Sequence, residues 1–93
     1  MDIQVKTRPT NLGWHFSVTI NDAAGPSFYK VTMDKDFLTR FGADYKPEKV
    51  VEKSFEFLLE REPKEAILAE FDIVDISHYY PEFVSELGKR MLY

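Results

Sequence analysis

One short stretch of the chain places acids, a hydroxyl and a base close together: Asp72-Ile-Val-Asp75-Ile-Ser77-His78-Tyr79-Tyr80. On a helix, Asp75 and His78 are three positions apart and share a face, so the carboxylate can orient the imidazole. Ser77 is adjacent to His78 and points about 100° away, outside the reach that a nucleophile–base pair requires. The three-part geometry of an acyl-transfer site is therefore not set up by this spacing. The pattern reads instead as helix chemistry. Asp72 caps, Asp75 supports the first turn, and His78 sits near the C-terminus, where its cationic form is favoured. No catalytic residue is assigned, and a small enzyme ranks third among the function classes.

Metal and nucleotide chemistry find no better footing. The chain has two histidines, His15 and His78, which fall in different predicted elements, and no cysteine to complete a zinc set. Glu52, Glu56 and Glu60 form a carboxylate row at spacing four, but Lys49 and Lys53 lie on the same helix and compensate it, as on a solvated face. There is no glycine-rich phosphate loop. No cofactor and no metal are assigned.

Two binding surfaces are credible. Lys6, Arg8, His15, Ser17, Thr19, Lys30 and Thr32 fall on the polar side of predicted strands, joined there by Phe28. Sheet faces with cations and aromatics bind single strands of RNA. The other surface is apolar. Residues 46–63, KPEKVVEKSFEFLLEREP, read as one amphipathic helix closed by proline at both ends. Its apolar residues span about 200° of the circumference, whereas a core stripe needs about 100°. Either the short helices from Pro63 onward cover the remainder, or Val50 and Phe57, with Arg61 beside them, stand at an uncovered edge that a two-fold dimer would bury. Tyr79 and Tyr80, with Phe83, make an aromatic corner that closes the end of a small core, the favoured reading, or else suits a protein partner.

The elements that position these groups follow from periodicity. Residues 2–8, 14–20 and 27–33 alternate apolar and polar, with turn chemistry at 9–13 and 21–26. They predict a three-stranded antiparallel meander with one dry face and one wet face. The period changes at Asp34, an N-cap for a run carrying Phe37, Leu38 and Phe41 that Gly42 ends. Pro63 fits the first turn of a further helix with Ile67, Leu68 and Phe71 inward. Asp72 opens a short helix carrying Ile73, Ile76 and Tyr80, and Pro81 opens a last one with Phe83, Val84, Leu87 and Met91. The expected fold class is α+β: residues 1–33 a β-meander, residues 34–93 helical, packed on one sheet face in a single domain over 1–93. The expected core joins Trp14, Phe16, Val18, Tyr29, Val31, Val51, Phe55, Leu58 and Leu59.

Composition narrows the classes. Ninety-three residues with fourteen aromatics supply one modest core without disulfides. Residues 1–33 carry three Lys/Arg against two Asp/Glu, hence +1; residues 34–93 carry nine against fourteen, hence −5. Phosphate backbones are repelled by the second part. The N-terminus lacks the pattern of a signal peptide, and no apolar run approaches a membrane span, so a cytoplasmic protein without membrane contact is expected.

SFEFLLEREPKEAIL (residues 54–68) and FDIVDISHYYPEF (71–83), with Gly13-Trp14-His15-Phe16 and Tyr29-Lys30-Val31-Thr32, resemble a family of short uncharacterised bacterial proteins. The resemblance covers most of residues 13–83 and implies no activity, cofactor or catalytic residue. The βββα order is similar in shape alone to small antitoxin-type regulators. The leading expectation is a non-enzymatic protein–protein interaction or regulatory module whose partner is another protein or a second copy in a homodimer. Its candidate interface residues are Val50, Phe57, Tyr79 and Tyr80. The alternative is a nucleic-acid-associated regulator using Lys6, Arg8 and Lys30.

Overall fold

The computed structural model describes residues 1–42 and 44–92. Alternation of side chains builds the first three strands as expected, each slightly longer: β1 (Asp2–Pro9), β2 (Gly13–Asp22) and β3 (Gly25–Asp34) form an antiparallel meander. Val5, Val18 and Tyr29 lie in one cross-strand row, and Lys6, Ser17 and Lys30 in the next. The first row faces inward, with Val18 and Tyr29 buried; the second faces water. At Gly13 a side chain has no room, since a Cβ there would lie 2.1 Å from the Met33 carbonyl oxygen. The second hairpin turns on Asp22, whose carboxylate accepts the Ala24 N–H at 2.9 Å, and on Gly25 at φ 109°.

Helix α1 (Lys35–Gly42) starts at Asp34, whose Oδ1 accepts the Phe37 N–H at 2.8 Å. Helix α2 (Pro47–Leu59) carries its proline in the first turn. It ends before the second proline: the Arg61 and Glu62 N–H groups both close on the Leu58 carbonyl.

The segment after Pro63 departs from the expected helix. It makes a 3-10 turn at Lys64–Ala66 and then a strand, β4 (Glu70–Asp72). This strand lies parallel to β3, pairing Lys30 with Glu70, Val31 with Phe71 and Thr32 with Asp72. The fold is thus α+β with a four-stranded mixed sheet in the order β1-β2-β3-β4, and residues 34–93 are not wholly helical. Two short helices follow, α3 (Asp75–Tyr79) and α4 (Phe83–Met91). No helix among the described residues is long and apolar enough to cross a membrane.

Helix α2 needs cover on two sides and finds both within the chain. Its Phe55 ring packs against Tyr29 at 5.3 Å and Phe71 at 5.9 Å between centroids. Around the helix, Phe57 meets Phe83 at 5.2 Å and the edge of Tyr80 at 5.7 Å, while the Arg61 guanidinium lies 3.6 Å over its ring. Val50 and Phe57 are both 0% exposed. The expectation that they stand at an uncovered edge is corrected here, because the corner between α3 and α4 folds Tyr80 and Phe83 back onto α2. Within the expected core, Phe16, Val18, Tyr29, Val31, Val51, Phe55 and Leu58 are buried, whereas Trp14 and Leu59 are half-buried at its margin.

Truncating Phe55 to Ala removes a ring held by two others and should cost about 3–5 kcal/mol of unfolding free energy in a urea titration. Val84, which the structure turns outward at 44% exposure, is the control. Val84→Ala should stay within about 0.5 kcal/mol of the wild type.

Candidate functional site

The 3-10 turn is fixed by a buried cation. Lys64, 9% exposed, reaches across to the β2–β3 hairpin, where its Nζ donates to Asp22 Oδ1 at 2.8 Å and to the Gly25 carbonyl at 3.4 Å. The Tyr29 hydroxyl donates to the Lys64 carbonyl at 2.7 Å, tying the turn's backbone to the sheet as well. From there the chain runs beside β3. The Lys30 N–H donates to the Ala69 carbonyl at 2.7 Å, and the Ile73 N–H to the Thr32 carbonyl at 2.9 Å. The Lys64 hydrogen bond and charge hold the Asp22 carboxyl below its usual range, and burial raises the Tyr29 phenol.

This path opens a groove of about 270 Å³ between the turn, β4 and α3. Buried Leu58, Ile67 and Ile76 supply its floor, with half-buried Phe71 and Tyr80 beside them. Leu68, 57% exposed, and Tyr79, 70% exposed, stand at its rim. The polar groups lining it are acidic. Glu62 accepts the Tyr80 hydroxyl at 2.6 Å, a bond that raises the Tyr80 phenol because a second negative charge there is disfavoured. Asp75 is the other. Residues 60–82 hold seven Asp/Glu against two Lys/Arg, a balance of −5 that exceeds the chain's whole net charge of −4.

The Asp72–His78 stretch lies at one end of this groove, and the expected cap is corrected: Asp72 closes β4, and α3 begins only at Asp75, after Val74 and without a side-chain cap. Asp72 Oδ1 accepts the Val74 N–H at 3.0 Å, and Asp75 Oδ2 accepts the Asp72 N–H at 3.1 Å, a reciprocal arrangement close to a capping box. His78 Nδ1 stands 4.0 Å from Asp75 Oδ1, with its side chain 75% exposed. The carboxylate row of α2 is paired: Glu52 with Lys49 at 3.5 Å, Glu56 with Lys53 at 3.4 Å, and Glu60 with Arg90, which lowers the Glu60 carboxyl.

Of the four interface residues expected from sequence, the structure brings Tyr79 and Tyr80 to one groove and withdraws Val50 and Phe57 into the core. Leu68 was assigned inward on a helix that does not form; it stands exposed on the approach to β4. The alternation of Phe71 and Ile73 with Glu70 and Asp72 was its one signal of a strand.

Lys6, Arg8 and Lys30 do gather on the open sheet face, around a shallow depression that His15, Ser17 and Thr32 complete. Arg8 lies 3.2 Å from His15 Nδ1, and Phe28 is 69% exposed. The unexpected strand adds carboxylates to the same face. Glu70 lies opposite Lys30, and Asp72 accepts the Thr32 hydroxyl at 2.7 Å. No family model, curated protein or solved structure matches the chain, so both surfaces are read from their own geometry.

Two outcomes follow from these contacts. The folded Asp22 carboxyl titrates below its unfolded value of about 3.8. Its contribution to stability is therefore complete above that value and lost as pH falls through the folded one. The urea midpoint of the wild type should drop below about pH 4, and the drop should be shallower, though not abolished, in Asp22→Asn, because Glu60 titrates in the same direction. Separately, His78→Ala should leave the unfolding free energy within about 0.5 kcal/mol of the wild type in a urea titration, as expected for an exposed side chain that holds nothing in place.

Proposed function

We propose that this protein is a protein-interaction module that uses the groove between Leu68 and Tyr79 to take an apolar segment flanked by basic residues. The observation that carries the reading is the pair of exposed apolar side chains standing over a buried apolar floor inside the most acidic part of the chain. Apolar anchors that fill a pocket supply most of the energy at such contacts. The acidic surround favours cationic flanks and speeds their encounter. A volume of about 270 Å³ accommodates a pair of apolar side chains rather than a cofactor. We assign no catalytic residue.

A second reading rests on the open sheet face, where Lys6 and Lys30 flank Ser17 in one row and Phe28 is exposed for stacking. Glu70 and Asp72 on the neighbouring strand offset those cations, and phosphate attraction normally supplies most nucleic-acid affinity. We therefore rank it below the groove.

A displayed library of random peptides separates the two. The immobilised protein should enrich sequences with paired Leu, Ile or Phe beside Lys or Arg. Affinity for the selected peptides should fall about tenfold or more with Leu68→Asp or Tyr79→Ala and be unchanged with Lys6→Ala/Lys30→Ala. Retention of single-stranded oligonucleotides that is lost in the Lys6/Lys30 variant, with no peptide enriched, would replace the groove by the sheet face.

A further inference from the structure

The far side of the sheet from the groove ends in a strand that has no second neighbouring strand among the described residues. β1 is eight residues long and terminal in the order β1-β2-β3-β4. Its hydrogen-bonding phase follows from the first hairpin, where the Thr10 N–H donates to the Gly13 carbonyl at 2.8 Å. Antiparallel ladders alternate, so the even-numbered residues of β1 direct their peptide groups toward β2. Ile3, Val5 and Thr7 direct theirs away from it. Pro9, in the same phase, has no N–H to leave open. The side chains of Ile3 and Val5 face the core and are half-buried at this rim.

We propose that this edge pairs with the same edge of a second copy, antiparallel about a two-fold axis through Val5. The phase allows it: Ile3 of each copy then exchanges peptide hydrogen bonds with Thr7 of the other, and the two Val5 residues with each other. The charge pattern selects it. In this register Asp2 of one copy lies opposite Arg8 of the other, twice by symmetry, and Gln4 opposite Lys6. Moving the axis to Lys6 keeps the hydrogen-bonding phase but sets the two Lys6 side chains against each other, and moving it to Gln4 leaves both Arg8 side chains unopposed, whereas a register that opposes odd-numbered to even-numbered positions turns the paired groups away from each other. On the helix side the same rim is flanked by Glu52, Glu56 and Glu60. Each of these has its own cation in Lys49, Lys53 or Arg90, so two such flanks meet without uncompensated charge. Pairing covers the exposed sides of Ile3 and Val5 and removes the open edge, which otherwise templates indiscriminate association. One self-complementary surface serves both copies. Because β1 and the groove lie at opposite ends of the sheet, the dimer would carry its two grooves at the outer ends of one continuous sheet.

Sedimentation equilibrium tests the pairing independently of the groove. The wild type should be dimeric in the tens-of-micromolar range. Val5→Pro removes a donor that β2 does not use and should be monomeric, with circular dichroism confirming that it is folded. Asp2→Arg and Arg8→Asp, both on exposed side chains, should each raise the dissociation constant roughly tenfold. The double variant Asp2→Arg/Arg8→Asp should return toward the wild type. Leu68→Asp, which removes the groove, should dimerise normally. A monomeric wild type overturns the proposal, as does a dimer indifferent to Val5→Pro, or a double variant no better than the singles. An edge that stays monomeric yet binds an unrelated extended peptide overturns it as well.

Discussion

The architecture turns on one buried ammonium group. Removing a lysine from water costs several kcal/mol unless its charge and donors are answered. Lys64 finds those answers in Asp22 and the Gly25 carbonyl, on a hairpin 42 and 39 positions upstream. Asp22 is itself held in place by the Ala24 N–H. The pair therefore joins two turns that are each locally specified. With the Tyr29 hydroxyl on the Lys64 carbonyl, side chain and backbone of the turn are both anchored. The chain leaving it is delivered to the edge of β3 rather than onto the sheet face. β4, the start of α3 and the groove between them all inherit their placement from that delivery.

Helix α2 meets a second constraint, its wide apolar arc. The sheet and β4 cover Tyr29 and Phe71's neighbour Phe55; α4 and the Tyr80 corner cover Phe57. Arg61 closes the remaining ring face with its guanidinium and reaches Glu82 at 3.6 Å. The same residue thus shields an aromatic ring and pins the loop before α4 to the end of α2. Arg90 does the corresponding work from the other side, pairing with Glu60. Such exposed pairs contribute little individually. Here they fix the direction in which α4 returns.

The meander and the cap at Asp34 were legible because their determinants are local. Alternation fixes which face a strand buries, and an Asp immediately before a helical run meets an unsatisfied N–H two or three residues on, whatever the rest of the chain does. β4 was not legible for the converse reason. Ile67, Leu68 and Phe71 have helical spacing, Pro63 fits a helix start, and the alternation over Glu70–Ile73 is too short to outweigh them, the strand itself being three residues long. What decides the segment is long-range: the Lys64–Asp22 pair and the ladder to β3. The burial of Val50 and Phe57 was missed in the same way, since a wide arc announces that cover is needed and is silent on whether the chain or a partner supplies it. Tyr79 and Tyr80 read alike in sequence, and the helix phase separates them, one at the rim and one half-buried beneath it.

The two ends of the sheet are protected by different means, and the difference bears on association. β4 is short, and the Asp72–Asp75 reciprocal cap turns the chain into α3 at its end, so little ladder is left open there. β1 is long and has no such cover among the described residues. Its protection is chemical: Lys6 and Arg8 on one face and Pro9 at its end are the kinds of residue that discourage arbitrary strand pairing. Charges do not close an edge; they choose what fits it. A parallel copy would set Lys6 and Arg8 against their like, whereas the antiparallel pairing proposed above would set Asp2 against Arg8. On that proposal, the residues that keep the edge from pairing at random are also the ones that select its partner.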